Sequence, residues 1–218
     1  MKVVNALMLV GISWLVLACQ TADSEQSVVV DLPYYSTSDW MPVWIPEDSL
    51  ETVNPHAIPP FAFLNQDGKE ITDKDMKGKV YVANFFFSTC PGVCPKMTNN
   101  LHLVQDEFGT NSEVRILSHS VMPWVDSVAQ LARYAERNAI QSETWDLVTG
   151  DKKEIYQLAR ESYFADEGFG KTLTTEEDFL HTEKLILIDQ YSHIRGVYNG
   201  TLPLDTKRLI ADIYQLIE

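Results

Sequence analysis

The run KVYVANFFF, Lys79 to Phe87, passes directly into STCPGVCPKM, Ser88 to Met97. A continuous β-rich apolar run of this length belongs to a strand buried on both faces of a sheet. Just downstream, Met97, Leu101, Val104 and Phe108 recur at three- and four-residue steps, a helical stripe whose entry is marked by Pro95. The chain must therefore turn from a central strand into a helix within a few residues, and Cys90 and Cys94 sit at that joint. Pro91 and Pro95 restrict the backbone while Gly92 lets the loop between the cysteines turn, which holds both sulfurs on one side.

A helix N-terminus presents unpaired N–H groups and the positive end of the macrodipole, so the thiolate is favoured over the thiol. Both cysteines are expected to be acidic for that reason. The CxxxC spacing is compatible with a structural disulfide, a redox dithiol or a soft-metal clamp. It is one residue wider than the usual CxxC exchange motif, so the sulfurs can bracket a cation as well as join. Two sulfurs and one imidazole suit Cu(I), and an added oxygen donor would suit Cu(II). Structural zinc wants four protein ligands, and no second cysteine pair exists to supply them.

Five histidines compete to be the imidazole. His56 in a proline-rich lead-in and His102 on the polar side of the helix read as surface residues. His119 lies on an alternating strand and reads as buried and hydrogen-bonded; His193 falls in a turn. His181 stands between a glycine- and acid-rich loop and the strand EKLILID, where a mobile segment can carry it over the cysteine joint.

The first nineteen residues, MKVVNALMLVGISWLVLAC, carry one cation and then an apolar run, the layout of a secretory signal and too short for a comfortable membrane span. Their end, Val16-Leu17-Ala18-Cys19, resembles a bacterial lipobox, in which Cys19 is lipidated and becomes the mature N-terminus. Of three cysteines, that leaves only Cys90 and Cys94 as thiols, too few for a disulfide scaffold. The formal net charge of -14 makes nucleic acid and anionic lipid poor partners.

The expected organisation is a leader at 1–18, a tether and N-terminal extension at 19–55, and one folded domain at 56–218. IPPFAFLNQDG reads as a strand and an Asp67-Gly68 turn with a returning strand. SEVRILSHSV is a further strand, Ser127 to Asn138 a helix capped by Asp126, WDLVTGD a strand, and Lys152 to Tyr163 a helix. HTEKLILIDQ and SHIRGVYNG form a late antiparallel pair, and Asp205 to Ile217 an amphipathic terminal helix. Two strand-helix units followed by a hairpin and a helix predict an α/β sandwich around a central mixed β-sheet flanked by helices.

FSTCPGVCPKM with a later HTEKLILID resembles the Sco/SenC family of copper-handling proteins that assist assembly of cytochrome c oxidase. The resemblance runs from about Pro59 to the C-terminus. It includes FxFLNQDG, the SVxPxxDSxxxLxxY segment from Ser120 to Tyr134, and WDLVTGDKKEIYQLA from Trp145 to Ala159. It implies a thioredoxin-like fold, a copper site of Cys90, Cys94 and His181, and cysteines that also cycle between dithiol and disulfide. The implied partners are the copper-receiving subunit of the oxidase, a thiol reductase, and a bacterial membrane held through Cys19. The protein would thus sit in the cell envelope on the periplasmic or other extracytoplasmic side. Where many relatives have SVDP this chain has Met122, expected to pack against its neighbours. The alternative to a metallochaperone is a thiol-disulfide oxidoreductase with no metal role; peroxidase chemistry and a purely structural disulfide rank lower.

Overall fold

Every residue from Val80 to Phe86 is buried, and the side chains alternate between two separate cores. The structure is a computed structural model, and it describes residues 31–165 and 182–217. In chain order a small hairpin, β1 (Tyr34–Tyr35) and β2 (Pro42–Val43), and a one-turn α1 (Leu50–Val53) lead to a second hairpin, β3 (Ala62–Leu64) and β4 (Glu70–Thr72), and to α2 (Asp73–Met76). Then follow β5 (Val80–Phe86), α3 (Cys94–Phe108), β6 (Val114–Ser120), α4 (Val128–Arg137), β7 (Trp145–Val148), α5 (Lys152–Gln157), β8 (Lys184–Ile188), β9 (Ile194–Asn199) and α6 (Pro203–Ile217).

The main sheet has the order β7-β6-β5-β8-β9. β5, β6 and β7 run parallel while β8 and β9 are antiparallel additions, so the sheet is mixed as expected. Ala83 on β5 faces Leu117 of β6 on one side and Ile186 of β8 on the other, which puts β5 at the centre. Val80, Val82 and Phe86 pack against Met97, Leu101 and Val104 of α3, Leu131 of α4 and Leu209 of α6. Tyr81, Ala83 and Phe85 point the other way, onto Ile71, Met76, Ile155 and Leu158. Each large side chain fully buried in this way contributes about 2 kcal/mol, which is why the strand register is firmly set.

The β7 edge of the sheet is covered by a side chain. Gln66 donates from Nε2 to Trp145 O at 2.8 Å and accepts at Oε1 from Leu147 N at 2.7 Å, so its amide occupies the place of a further strand beside β7. At the other edge Arg195 of β9 donates to Asp31, Pro33 O and Leu32 O, and its guanidinium lies 4.0 Å from the Tyr34 ring centroid. These contacts fasten residues 31–35 to the sheet. Trp40 packs edge-on to Tyr35 and Phe164, whereas Trp44 is 57% exposed and donates its indole N–H to Asp31 O. Among the described residues no helix is long and apolar enough to cross a membrane.

Three local expectations need correction. Asp126 does not cap α4: Ser127 does, its Oγ accepting from Gln130 N, and Asp126 is turned inward with 0% exposure. The helix read from Lys152 to Tyr163 is α-helical only to Gln157 and then widens into a π-turn over Leu158–Ser162. That wider turn carries the Tyr163 ring into the core, where its hydroxyl meets that of Tyr81 at 3.1 Å. The last helix starts at Pro203, two residues early, because proline suits a first helical turn.

Candidate metal and dithiol site

The loop after β5 is closed by Cys90 N–H donating to Phe87 O at 3.2 Å, and α3 begins at Cys94 with Pro95 in its first turn. Both cysteines are free thiols; Cys90 is half-buried and Cys94 is 3% exposed. This is the joint expected from the sequence, but the two sulfurs differ in kind. Burial pushes the Cys90 thiol up, yet the N–H groups of Cys94, Gly92 and Val93 and the Cys94 thiol all stabilise its anion, and Cys90 ends below the ordinary thiol value. Burial pushes Cys94 up to about 12, and its interaction with the Cys90 sulfur adds to the rise. The helix terminus therefore makes only one acidic cysteine: the N–H groups of Phe87 and Cys94 favour the Cys94 anion too, but its loss of water and the neighbouring Cys90 sulfur outweigh them.

This asymmetry sets an alkylation pattern. In the reduced protein, iodoacetamide is expected to modify Cys90 with a rate that levels off below the pH at which ordinary thiols do, because only the thiolate reacts. Cys94 should stay unmodified through neutral pH. Peptide mapping by mass spectrometry across pH 5 to 9, roughly the range that brackets free thiols, reads both; equal labelling of the two cysteines would contradict the assignment.

Around the pair stand Phe87, Val93 and Met97. The Tyr134 hydroxyl bonds Thr98 Oγ1 at 2.9 Å, and its ring packs on Phe86. Below the loop, Ser88 donates to Asp126 from its backbone N–H at 3.0 Å and also from its hydroxyl, and Ser120 donates to the same carboxylate at 2.6 Å. Gln130 of α4 donates to Ser88 Oγ at 2.9 Å. Sequence reasoning missed this cluster because Asp126 stands immediately before a helix and was assigned to its cap. Its place in the spaced motif from Ser120 to Tyr134 was the available signal. Trp124, 59% exposed with the Lys152 ammonium 5.0 Å from its ring centroid, lies in the same loop. Met122 is half-buried against the core on the opposite side of the sheet from α3.

The histidines separate clearly. His56 is half-buried and its Nε2 lies 2.8 Å from Ser162 O; His102 packs edge-on to Trp145; His193 pairs loosely with Asp189 at 3.5 Å. His56 and His102 are thus partly enclosed rather than surface residues, held by contacts distant in sequence. His119 is buried as expected but not hydrogen-bonded: neither ring nitrogen finds a partner among the described residues, and the ring lies among Phe61, Phe63, Phe85 and Tyr163. Burial pushes its pKa down to about 3, so it is neutral. His181 and Cys19 lie outside the described residues, as does most of the loop that precedes His181. Among the described residues no three His, Cys, Asp or Glu side chains gather as a metal site.

A mixed α/β sandwich with an outer acidic thiol and an inner protonated one at a strand-helix joint is a thioredoxin-like dithiol protein. Comparison with known proteins narrows the class: the sequence model of the SCO1/SenC family matches residues 50–218, and the chain belongs to that family. It is 31% identical over 160 residues to the SCO1 protein homolog of Bacillus subtilis, covering 72% of this chain and 81% of that one. Among solved structures, a SCO1/SenC family lipoprotein from Bacillus anthracis is 29% identical with TM-score 0.64, covering 75% of this chain and 96% of that one. BsSco, described as a member of the Sco family of cytochrome c oxidase assembly proteins with a disulfide switch, is 29% identical with TM-score 0.62 over 74% and 93% of the two chains. Arabidopsis thaliana ScoI, solved with copper bound, is 27% identical with TM-score 0.57 over 73% and 99%.

Proposed function

We propose that the protein is a membrane-anchored copper carrier that assists assembly of the copper centre of cytochrome c oxidase. Cys90, Cys94 and His181 would hold the metal, and Cys19 would hold the membrane. The observation that carries the reading is the pair of free, unlike thiols at the strand-helix joint of a family member whose relatives include a copper-bound one. Copper is cargo here. Both sulfurs ligate as thiolates, and Cys90 gives up its proton more readily than Cys94, so loading releases protons and tightens as pH rises. Delivery is then exchange of these sulfurs for those of the recipient. The VLAC end of the leader and the lipoprotein relative support the anchor, which would keep the carrier beside a membrane-bound client.

The same thiol asymmetry favours a second activity at the same site, reduction of the client's cysteines. Cys90 would attack and Cys94 would resolve the mixed disulfide, with a thiol reductase restoring the pair. The disulfide switch of BsSco supports it. Titration of the reduced protein with Cu(I), with X-ray absorption to count ligands, tests the carrier reading. One copper bound by two sulfurs and one nitrogen, and none bound by the disulfide form, is expected. A first shell without sulfur, or equal loading of the disulfide form, would overturn it.

A further inference from the structure

A carboxyl group with 0% exposure and no cation among its hydrogen-bond partners in the described residues calls for a reason, since burying a polar group is costly unless its hydrogen bonds are made. Asp126 meets that cost with three donors: the Ser88 backbone N–H, the Ser88 hydroxyl and the Ser120 hydroxyl. Two of the three come from the residue that opens the cysteine loop. Ser88 Oγ is further held by Gln130 Nε2, so the loop take-off is tied at once to the end of β6 and to α4. The next anchored atom along the chain is Cys90 N–H on Phe87 O. The backbone between the end of β5 and the Cys90 nitrogen is thus bracketed by these contacts.

We propose that Asp126 is the positioning residue of the thiol pair: by clamping Ser88 it presets the distance and direction between the two sulfurs. The inference deepens the reading of Cys90 and Cys94 as the working site and rests on that pair, but not on copper. A preset pair favours the disulfide over the dithiol, because less freedom is lost on closure. The reaction that reads this is exchange with glutathione disulfide. The Cys90 thiolate attacks one sulfur of the oxidant and expels a glutathione thiolate. Cys94 then attacks the Cys90 sulfur of the mixed disulfide and expels a second. The two protons of the protein dithiol end on the two glutathiones.

Equilibrate the full chain with defined ratios of reduced and oxidised glutathione and measure the constant for disulfide formation. Asp126→Asn keeps the shape but cannot accept from all three donors, and it is expected to lower the constant about tenfold, which is about 30 mV for two electrons. Ser88→Ala should lower it less, and the double variant by less than the product of the two, since both act through one contact. Asn65→Ala breaks an equally buried network at the β3–β4 turn, including the bond to Asp146, and should leave the constant unchanged while lowering thermal stability. An unaltered constant in Asp126→Asn, or an equal fall in Asn65→Ala, would overturn the proposal. Should Asp126→Asn fail to fold, Ser88→Ala and Gln130→Ala carry the test, and an unaltered constant in both overturns it. No copper enters the measurement, so a failed carrier reading and a failed clamp give different results.

Discussion

His181→Ala is expected to weaken Cu(I) binding by at least about a hundredfold, since loss of even an outer-shell partner of a metal ligand commonly costs ten- to a hundredfold. On the proposed ligand set two sulfurs alone would remain in that variant, one of them a thiol pushed up to about 12 that must still be deprotonated to bind. The glutathione equilibrium of the same variant should be unchanged, because sulfur-sulfur closure does not use the imidazole. Competition against a chelator of known affinity reads the first quantity and the redox titration the second. Unchanged copper affinity removes His181 from the site and leaves the dithiol activity as the better account.

Acid should destabilise the protein through His119. Its pKa is about 3 in the folded state, against an ordinary value of 6.5. The unfolded chain therefore takes up a proton that the folded one refuses. The stability this histidine leaves intact above pH 6.5 is lost as pH falls, by about 1.4 kcal/mol per unit until the folded-state pKa is reached. From pH 7 to 5 the loss is about 2 kcal/mol. His119→Phe keeps a ring beside Phe85, 5.1 Å away between centroids, and removes the proton uptake. Urea unfolding at the two pH values should show the fall in free energy shrink by about 2 kcal/mol in the variant. An identical fall in both proteins would mean that other groups carry the acid sensitivity. The variant should also be more stable at neutral pH, where two buried ring nitrogens without partners among the described residues are a standing cost.

His119 also marks where reading from sequence stops. Its alternating strand made burial legible, but hydrogen bonding was inferred from the general habit of buried polar groups. The aromatic rings that enclose it come from β3, β5 and the residue that follows the π-turn, segments far apart in the chain. Asp126 gives the same lesson in reverse. An acid just before a helix reads as a cap, and only the approach of β5 to β6 turns it inward onto Ser88. The main elements were legible because their periodicities are long: seven buried residues in β5, and a stripe from Met97 to Phe108 in α3.

By itself the sequence determined the mixed α/β sandwich, the strand-to-helix joint and the placement of Cys90 and Cys94 on it, since these follow from local pattern and from proline and glycine at fixed positions. The family motifs around them were likewise readable along the chain. Tertiary structure alone decided which thiol is acidic and which carboxylate lies beneath the loop. It also decided that His119 is walled in and that Gln66 closes the sheet edge. Burial and hydrogen-bond supply belong to the space between elements: backbone N–H groups reach both sulfurs, and it is the deeper burial of Cys94, together with the Cys90 sulfur beside it, that keeps it a thiol.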